Sequence, residues 1–217
     1  MAASDDERRY DDIYKHLRNS NEPMKFAIKK ILLFLALLAV LPLIVVTWLT
    51  IKLIGGDTAK KIFIYCGEIL SICPTLIGMY LRKAYYWTTC TGVSPDVHFL
   101  FGCMLAHREV TIRRGVIIGP YTFIGYAEIG ENVLFGGRVS VISGKYQHGR
   151  PDQRIAQEEV EEQHEVIHIG KNSWIGSDAT ILANIGDNCT VGAGSVVFKE
   201  VPEGTTVLGN PARKVNM

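Results

Sequence analysis

Residues 166–215 read VIHIGKNSWIGSDATILANIGDNCTVGAGSVVFKEVPEGTTVLGNPARKV. Ile169-Gly170 is followed six residues later by Ile175-Gly176 and then by Ile181. Ile185-Gly186, Val191-Gly192 and Val197 repeat the step of six. An aliphatic residue followed by glycine at every sixth position is the mark of a solenoid. Each hexad supplies one short strand and a bend. The aliphatic side chain points inward, and the small residue after it lets the backbone turn. One coil cannot bury its own interior, so coils stack and share a core.

The same period lies upstream. Ile112, Ile118-Gly119 and Ile124-Gly125 step by six, as do Ile129-Gly130, Phe135-Gly136 and Val141. The step shortens to five from Ile124 to Ile129 and to four from Ile181 to Ile185. An antiparallel sandwich would need alternation at period two and does not account for this pattern. Residues 88–111 read as an irregular first coil around Val97, Leu100-Phe101-Gly102 and Leu105-Ala106, because terminal repeats are atypical. His98 and His107 read as structural or surface residues, and His107 is a weaker candidate for the site groove.

These runs resemble the hexapeptide-repeat acyltransferases. The tail GAGSVV…VP…GNPA is similar to the C-terminal half of the galactoside, maltose and xenobiotic acetyltransferase branch. The resemblance covers roughly residues 93–215. It implies a mainly β fold, a left-handed parallel β-helix, assembled as a homotrimer with sites between subunits. It implies an O-acetyltransferase using acetyl-CoA as cosubstrate, with no metal.

The N-terminal region is of another kind. Residues 1–24 are polar, with Tyr10, Ile13, Tyr14 and Leu17 at helical spacing; a short amphipathic helix and a solvated tail both fit. Residues 25–87 read as a membrane anchor. ILLFLALLAVLPLIVVTWLTI (31–51) carries no charge and is long enough to cross a bilayer. Lys25, Lys29, Lys30 and Lys52 flank it, and Trp48 is placed like an interface anchor. A second apolar helix is expected over 62–81, interrupted by Glu68 and Pro74, as a poor span or an interfacial helix. Tyr80, Tyr85, Tyr86 and Trp87 suit a headgroup-level belt. Two topologies keep both ends on one side: a second crossing by 62–81, or a re-entrant 31–51 broken at Pro42.

The β-helix domain is placed at 88–217. Its hexads stop at 143–168, SGKYQHGRPDQRIAQEEVEEQHEVIH, and a loop of this length inside a compact domain points to function or disorder. Acyl transfer to a hydroxyl requires a base near neutrality, and imidazole is the natural one. The resemblance puts His148, before Gly149, in the position of the family's catalytic histidine. Tyr146 stands where a membrane-linked polysaccharide subgroup carries a further histidine. Tyr146, Arg150 and Asp152 are candidates for contact with a sugar, and Asp152 or a loop glutamate for orienting His148.

For the donor, the resemblance assigns Ser177 and Ala193 to CoA between two subunits. Gly194 and Ser195 add small residues beside exposed backbone, and Lys199, Arg213 and Lys214 are the phosphate partners. Phe198 occupies a position where the family often has threonine. Trp174 either stacks near the cofactor or packs outside the coil.

The net charge of +1 gives no ground for nucleic-acid binding. Five cysteines without paired spacing indicate neither a zinc site nor a disulfide framework. The expected acceptor is a sugar hydroxyl on a lipid-linked glycan or polysaccharide precursor. The expected location is a membrane, the bacterial inner one, with the catalytic domain on its cytoplasmic side and membrane lipid as a partner. Two other readings stay open. One is a metal enzyme like the γ-class carbonic anhydrases, using His148, His164 and His168. The other is a non-catalytic scaffold tethered to a membrane.

Overall fold

A computed structural model describes residues 23–143 and 165–215. Among these residues three helices precede sixteen short strands. They are α1 (Pro23–Leu53), α2 (Gly56–Ser71) and α3 (Thr75–Thr89), then β1 (Gly92–Val93) through β16 (Arg213–Val215). The strands form three sheets, ordered β1-β4-β7-β10, β16-β15-β13-β11-β8-β5-β2 and β14-β12-β9-β6-β3. Every pairing is parallel except β15 with β16. Successive strands step from sheet to sheet, so the chain winds as a three-sided parallel β-solenoid.

The period-six residues are its core. Ile112, Ile118, Ile124, Ile129, Phe135, Val141, Ile175, Ile181, Val191 and Val197 are all buried. A second inward set stands two residues before them: Val110, Val116, Val133, Val139, Cys189 and the hydroxyl residues Thr122, Ser173 and Ser195. Those hydroxyls serve backbone groups that the corners leave unpaired. Thr122 Oγ1 donates to Gly136 O at 3.1 Å, and Ser173 Oγ donates to Gly186 O at 2.9 Å while accepting from Cys189 N–H at 3.0 Å.

One corner is held by a ladder of asparagines. Asn132, Asn172 and Asn188 have φ of 58°, 57° and 56°, left-handed turns that asparagine tolerates. Asn132 Nδ2 donates to Asn172 Oδ1 and Asn172 Nδ2 to Asn188 Oδ1. At another corner glycine is needed for space: a Cβ on Gly176 would lie 2.5 Å from the Ala193 nitrogen of the next coil.

The first coil is regular, which corrects the expectation for 88–111. Val93, Phe99 and Leu105 are buried six residues apart, and Leu100 and Phe101 belong to a corner rather than the core. Helices α2 and α3 lie against it. Tyr86 is fully buried with its ring 5.0 Å from Phe99, and Phe63 and Tyr85 pack behind it. Arg82, 0% exposed, donates from Nη1 to Leu70 O and Cys73 O, each at 2.8 Å, and from Nε to Phe99 O at 3.2 Å. Its charge meets the negative end of α2, which supplies orphan carbonyls in place of a carboxylate.

Residues 62–81 are not one helix. They fall on α2 and α3, separated at Ile72-Cys73-Pro74. Proline lacks a donor and disfavours helical backbone in the residue before it. The opposite holds at Pro42, where α1 continues without interruption, so a helix broken there is not what forms. Apolar helices absorb an internal proline when neighbouring groups compensate. At 31 residues α1 is roughly 46 Å long at about 1.5 Å per residue. Among the described residues it is the single helix long and apolar enough to cross a membrane. Ala36, Val40 and Thr47 are buried on one side, whereas Phe34, Leu35, Leu38 and Leu41 are exposed. Thr47 Oγ1 lies 2.9 Å from Tyr85 Oη, and Trp48 Nε1 donates to Thr88 O at 3.2 Å. These contacts dock α1 on α3.

Candidate functional site

His148, Tyr146, Arg150 and Asp152 lie outside the described residues, as does His164. The ends of their segment are well defined. Ser143 is buried, and its Oγ accepts from Tyr126 N–H at 2.6 Å. Its carbonyl accepts from Glu165 N–H at 3.3 Å, so the chain leaves and re-enters the coil at one point. This point is the corner between β9 (Ser140–Val141) and β10 (Ile167–Ile169). Tyr126 occupies the same corner one coil earlier, and the His107 ring meets it edge-on at 5.3 Å. His107, the weaker candidate for the site groove, stands at the corner from which the segment departs. Phe198 and Lys199 occupy this corner after β14 (Val196–Val197), two coils further on.

The expected donor residues divide into two groups. Ser177, Ala193 and Gly194 line another corner, between the sheets containing β11 (Trp174–Ile175) and β12 (Thr180–Ile181). Gly194 N–H donates to Ser177 O at 2.8 Å, which stacks the two turns directly. Ser177 Oγ accepts from Gly137 N–H at 3.2 Å. Ala193 and Gly194 are exposed, and Gly194 has φ 68°, a turn that favours glycine. Nothing lies within 4 Å of a Cβ built there, so the space above this corner is open.

Ser195 departs from its expected role. It is fully buried, and its Oγ accepts from Gly209 N–H at 3.0 Å, holding the last turn. The hydroxyl is committed inside the coil rather than offered to a ligand. Trp174 points outward and is 46% exposed, on the sheet face beside Leu134 and Thr190.

Lys199, Arg213 and Lys214 form the second group. They line one cleft of about 320 Å³ at the C-terminal end of the solenoid, with Phe198, Pro202 and Ala212. Strand β16 makes this cleft by folding back antiparallel on β15 (Thr206–Leu208), after a cis Asn210-Pro211 bond. Three cations around a partly apolar cleft suit an anion attached to a flat or aliphatic body. Glu200 sits at the same rim and offsets part of that charge. Sequence spacing does not join Lys199 to Arg213, because they lie on different sides of the last coil. The reversal at Pro211 brings them together.

Of the remaining histidines, His168 Nδ1 is 3.3 Å from Glu128 Oε2 in an exposed pair. Its partner is a side chain one coil away, across the sheet.

A protein-family description, hexapeptide repeat of succinyl-transferase, matches residues 166–199. The coils are hexapeptide repeats. A galactoside O-acetyltransferase of Escherichia coli (strain K12) is 32% identical over 132 residues, covering 57% of this chain and 59% of that protein. Serine acetyltransferase 4 of Arabidopsis thaliana is 33% identical over 111 residues, covering 50% of this chain and 28% of that protein. The chain thus spans less than two thirds of either relative. A solved maltose O-acetyltransferase from Clostridium difficile 630 aligns at 21% identity with TM-score 0.49, over 74% of this chain and 88% of that one. By sequence the chain is similar to proteins named as acetyltransferases.

Proposed function

We propose that the chain is a membrane-attached O-acetyltransferase that moves an acetyl group from acetyl-CoA to a sugar hydroxyl. The supporting observation is the division of the donor-type residues on a hexapeptide-repeat solenoid. Small turns with open backbone run along the corner at Ser177, Ala193 and Gly194, and a tri-cationic cleft lies at the C-terminal end. A ligand with an amide-bearing arm and a phosphorylated end matches this pair of surfaces. The pantetheine arm follows the corner, and the phosphates meet Lys199, Arg213 and Lys214. Phe198 offers its ring where a hydroxyl would otherwise hydrogen-bond the arm.

In the chemical step the acceptor oxygen attacks the thioester carbonyl while His148 takes its proton. The tetrahedral oxyanion collapses, the C–S bond breaks, and the thiolate leaves to be protonated as free CoA. Asp152 or a glutamate of the same segment accepts the other imidazole N–H. Tyr146 and Arg150 contact the sugar. The reaction is direct transfer within a ternary complex, with no covalent enzyme intermediate and no metal.

A homotrimer belongs to this reading. The outward row Ile117, Leu134 and Trp174 gives one solenoid face an apolar stripe that further copies would cover. Attachment through α1 raises the effective concentration of a lipid-linked acceptor at the domain. The localisation is the cytoplasmic face of a bacterial inner membrane, where acetyl-CoA is available.

Free-thiol release from acetyl-CoA by detergent-purified protein, with and without lipid-linked sugars, tests the proposal. Acceptor-stimulated release that His148→Ala abolishes is the expected result. Absence of acetyl-CoA binding by the wild-type protein overturns it.

A further inference from the structure

The helical layer at the base of the solenoid fixes the direction of α1. Helices α2 and α3 pack on the first coil, through β1, β2 (His98–Phe99) and β3 (Met104–Leu105), and α1 packs on α2 and α3. The contact runs along most of α1. Leu32, Ala36, Val40, Ile44 and Thr47 are buried or half-buried on the docked side, and Thr47 Oγ1 lies 3.8 Å from Cys66 Sγ on α2. Both ends of this stretch reach the first coil. The Arg108 guanidinium, in the turn that closes the coil, lies 5.2 Å from the centre of the Trp48 ring. At the other end Lys29 joins burial and Lys83 in depressing the pKa of His98 on β2, which puts its ammonium near that strand. Lys29 and Trp48 stand roughly 28 Å apart along the helix, at about 1.5 Å per residue. The helix therefore lies across the base of the coil.

A helix docked in this way does not cross a bilayer by itself. Crossing takes about 20 residues, and only the short pieces before Leu32 and after Trp48 are clear of the other helices. Crossing by 32–48 would carry α2, α3 and the first coil into the hydrocarbon, with the exposed carboxylates of Glu68, Asp96 and Glu109. Each charge there is costly.

The outward side of α1 is as apolar as the docked side. Phe34, Leu38, Leu41, Val45 and Leu49 are each 45% exposed or more. Their spacing of three or four residues makes one stripe, opposite the side that meets α2 and α3. None of the five has a hydrogen-bonding side chain. A protein partner would make roughly one hydrogen bond per 100–200 Å² of contact, so acyl chains fit the stripe better. Lys29 and Lys30 precede it and Lys52 follows it, as basic groups flank a helix at the level of lipid phosphates.

We propose that α1 lies flat in one leaflet of a bilayer, with its stripe among the acyl chains and the solenoid standing on it. This rests on the membrane attachment proposed above and supplies its geometry. The chain before and after α1 stays on one side without a second crossing. Parallel neighbours are about 4.8 Å apart, so β9 lies two strands, roughly 10 Å, above β3. The corner at Ser143 is then within reach of the headgroup of a lipid-linked sugar.

The test uses the full chain with Cys73→Ser and Cys90→Ser, so that the remaining cysteines are buried. It is reconstituted in vesicles of phosphatidylcholine and phosphatidylglycerol. Nitroxide labels go one at a time on Phe34→Cys, Leu38→Cys, Leu41→Cys, Val45→Cys and Leu49→Cys. Depth is read from collision with oxygen against a water-soluble nickel chelate. We expect all five about 5–10 Å below the phosphates, with no trend along the helix. Five exposed positions guard against a single variant that fails to fold. A profile deepest at Leu41 and shallow at both ends belongs to a crossing helix and overturns the proposal. Labels shielded from both reagents and broadened by one another place a second copy on the stripe and overturn the lipid partner. Flotation of the wild-type chain with the vesicles reads attachment by itself. No flotation overturns attachment and the flat orientation together, whereas flotation with a crossing profile overturns the orientation alone.

Discussion

The two ends of the solenoid solve the same problem in opposite ways. A stack of coils ends on an exposed core and needs a cap at each terminus. At the first coil the cap is a helical layer, with Phe63, Tyr85, Tyr86 and Arg82 buried against Phe99. At the last coil it is one antiparallel strand, β16, which leaves a cleft rimmed with cations. The first end gives up access for packing. The second keeps access and buries little. A site that must admit a ligand therefore belongs at the thin cap, and attachment to another structure belongs at the thick one.

The comparison breaks most severely if the base lies elsewhere. His148→Ala should lower acceptor-stimulated thiol release by about 10²–10⁴-fold with Tm unchanged. A fall of only a few-fold would move the chemistry away from the 143–168 segment. Next comes the thick cap. Tyr86→Ala should destabilise by about 3–5 kcal/mol, read as a lower denaturation midpoint, because a fully buried ring is removed from a packed cluster. The thin cap should behave in the reverse manner. Lys199→Ala, Arg213→Ala and Lys214→Ala should each weaken CoA binding by about tenfold, measured by calorimetry, while Tm stays within a degree or two.

The smallest effect is on pH. His98 is neutral in the folded chain down to about 3, whereas the unfolded chain takes up that proton near 6.5. Between those values the unfolded state binds more protons, so stability rises with pH across the window and is flat above it. Denaturation midpoints from pH 7 to pH 4 should fall more for wild type than for His98→Gln. Equal slopes would mean that His98 is not held neutral.

The solenoid was legible because its physics is periodic. Ile112 through Val197 announce the inward positions one hexad at a time. The second inward set was harder to read, since Thr122, Ser173 and Ser195 are polar by composition and buried because they satisfy turn backbone. In the first coil Leu100-Phe101-Gly102 imitates the aliphatic-glycine step, although Val93, Phe99 and Leu105 carry the period. The helical cap has no period to announce it. Arg82 looks like a charge flanking an apolar run and is instead a buried helix cap. Lys199 and Arg213 are both legible as cations near the C-terminal coils, but their meeting in one cleft depends on a chain reversal that spacing does not encode.

Along the coil, equivalent residues lie 17 apart from Thr122 to Val139, 40 apart from Asn132 to Asn172, and 16 apart from Asn172 to Asn188. The long interval adds chain without shifting any register, since Ser140 still meets Thr180 and Ile175 still meets Phe135. Ser143 O and Glu165 N–H close the interval, and because closure entropy grows only with the logarithm of length, about 0.6 kcal/mol per doubling, a change in its length costs little. The segment is in effect a cassette. Under the proposed function, exchanging it would be expected to change the acceptor while the coils on either side keep their register.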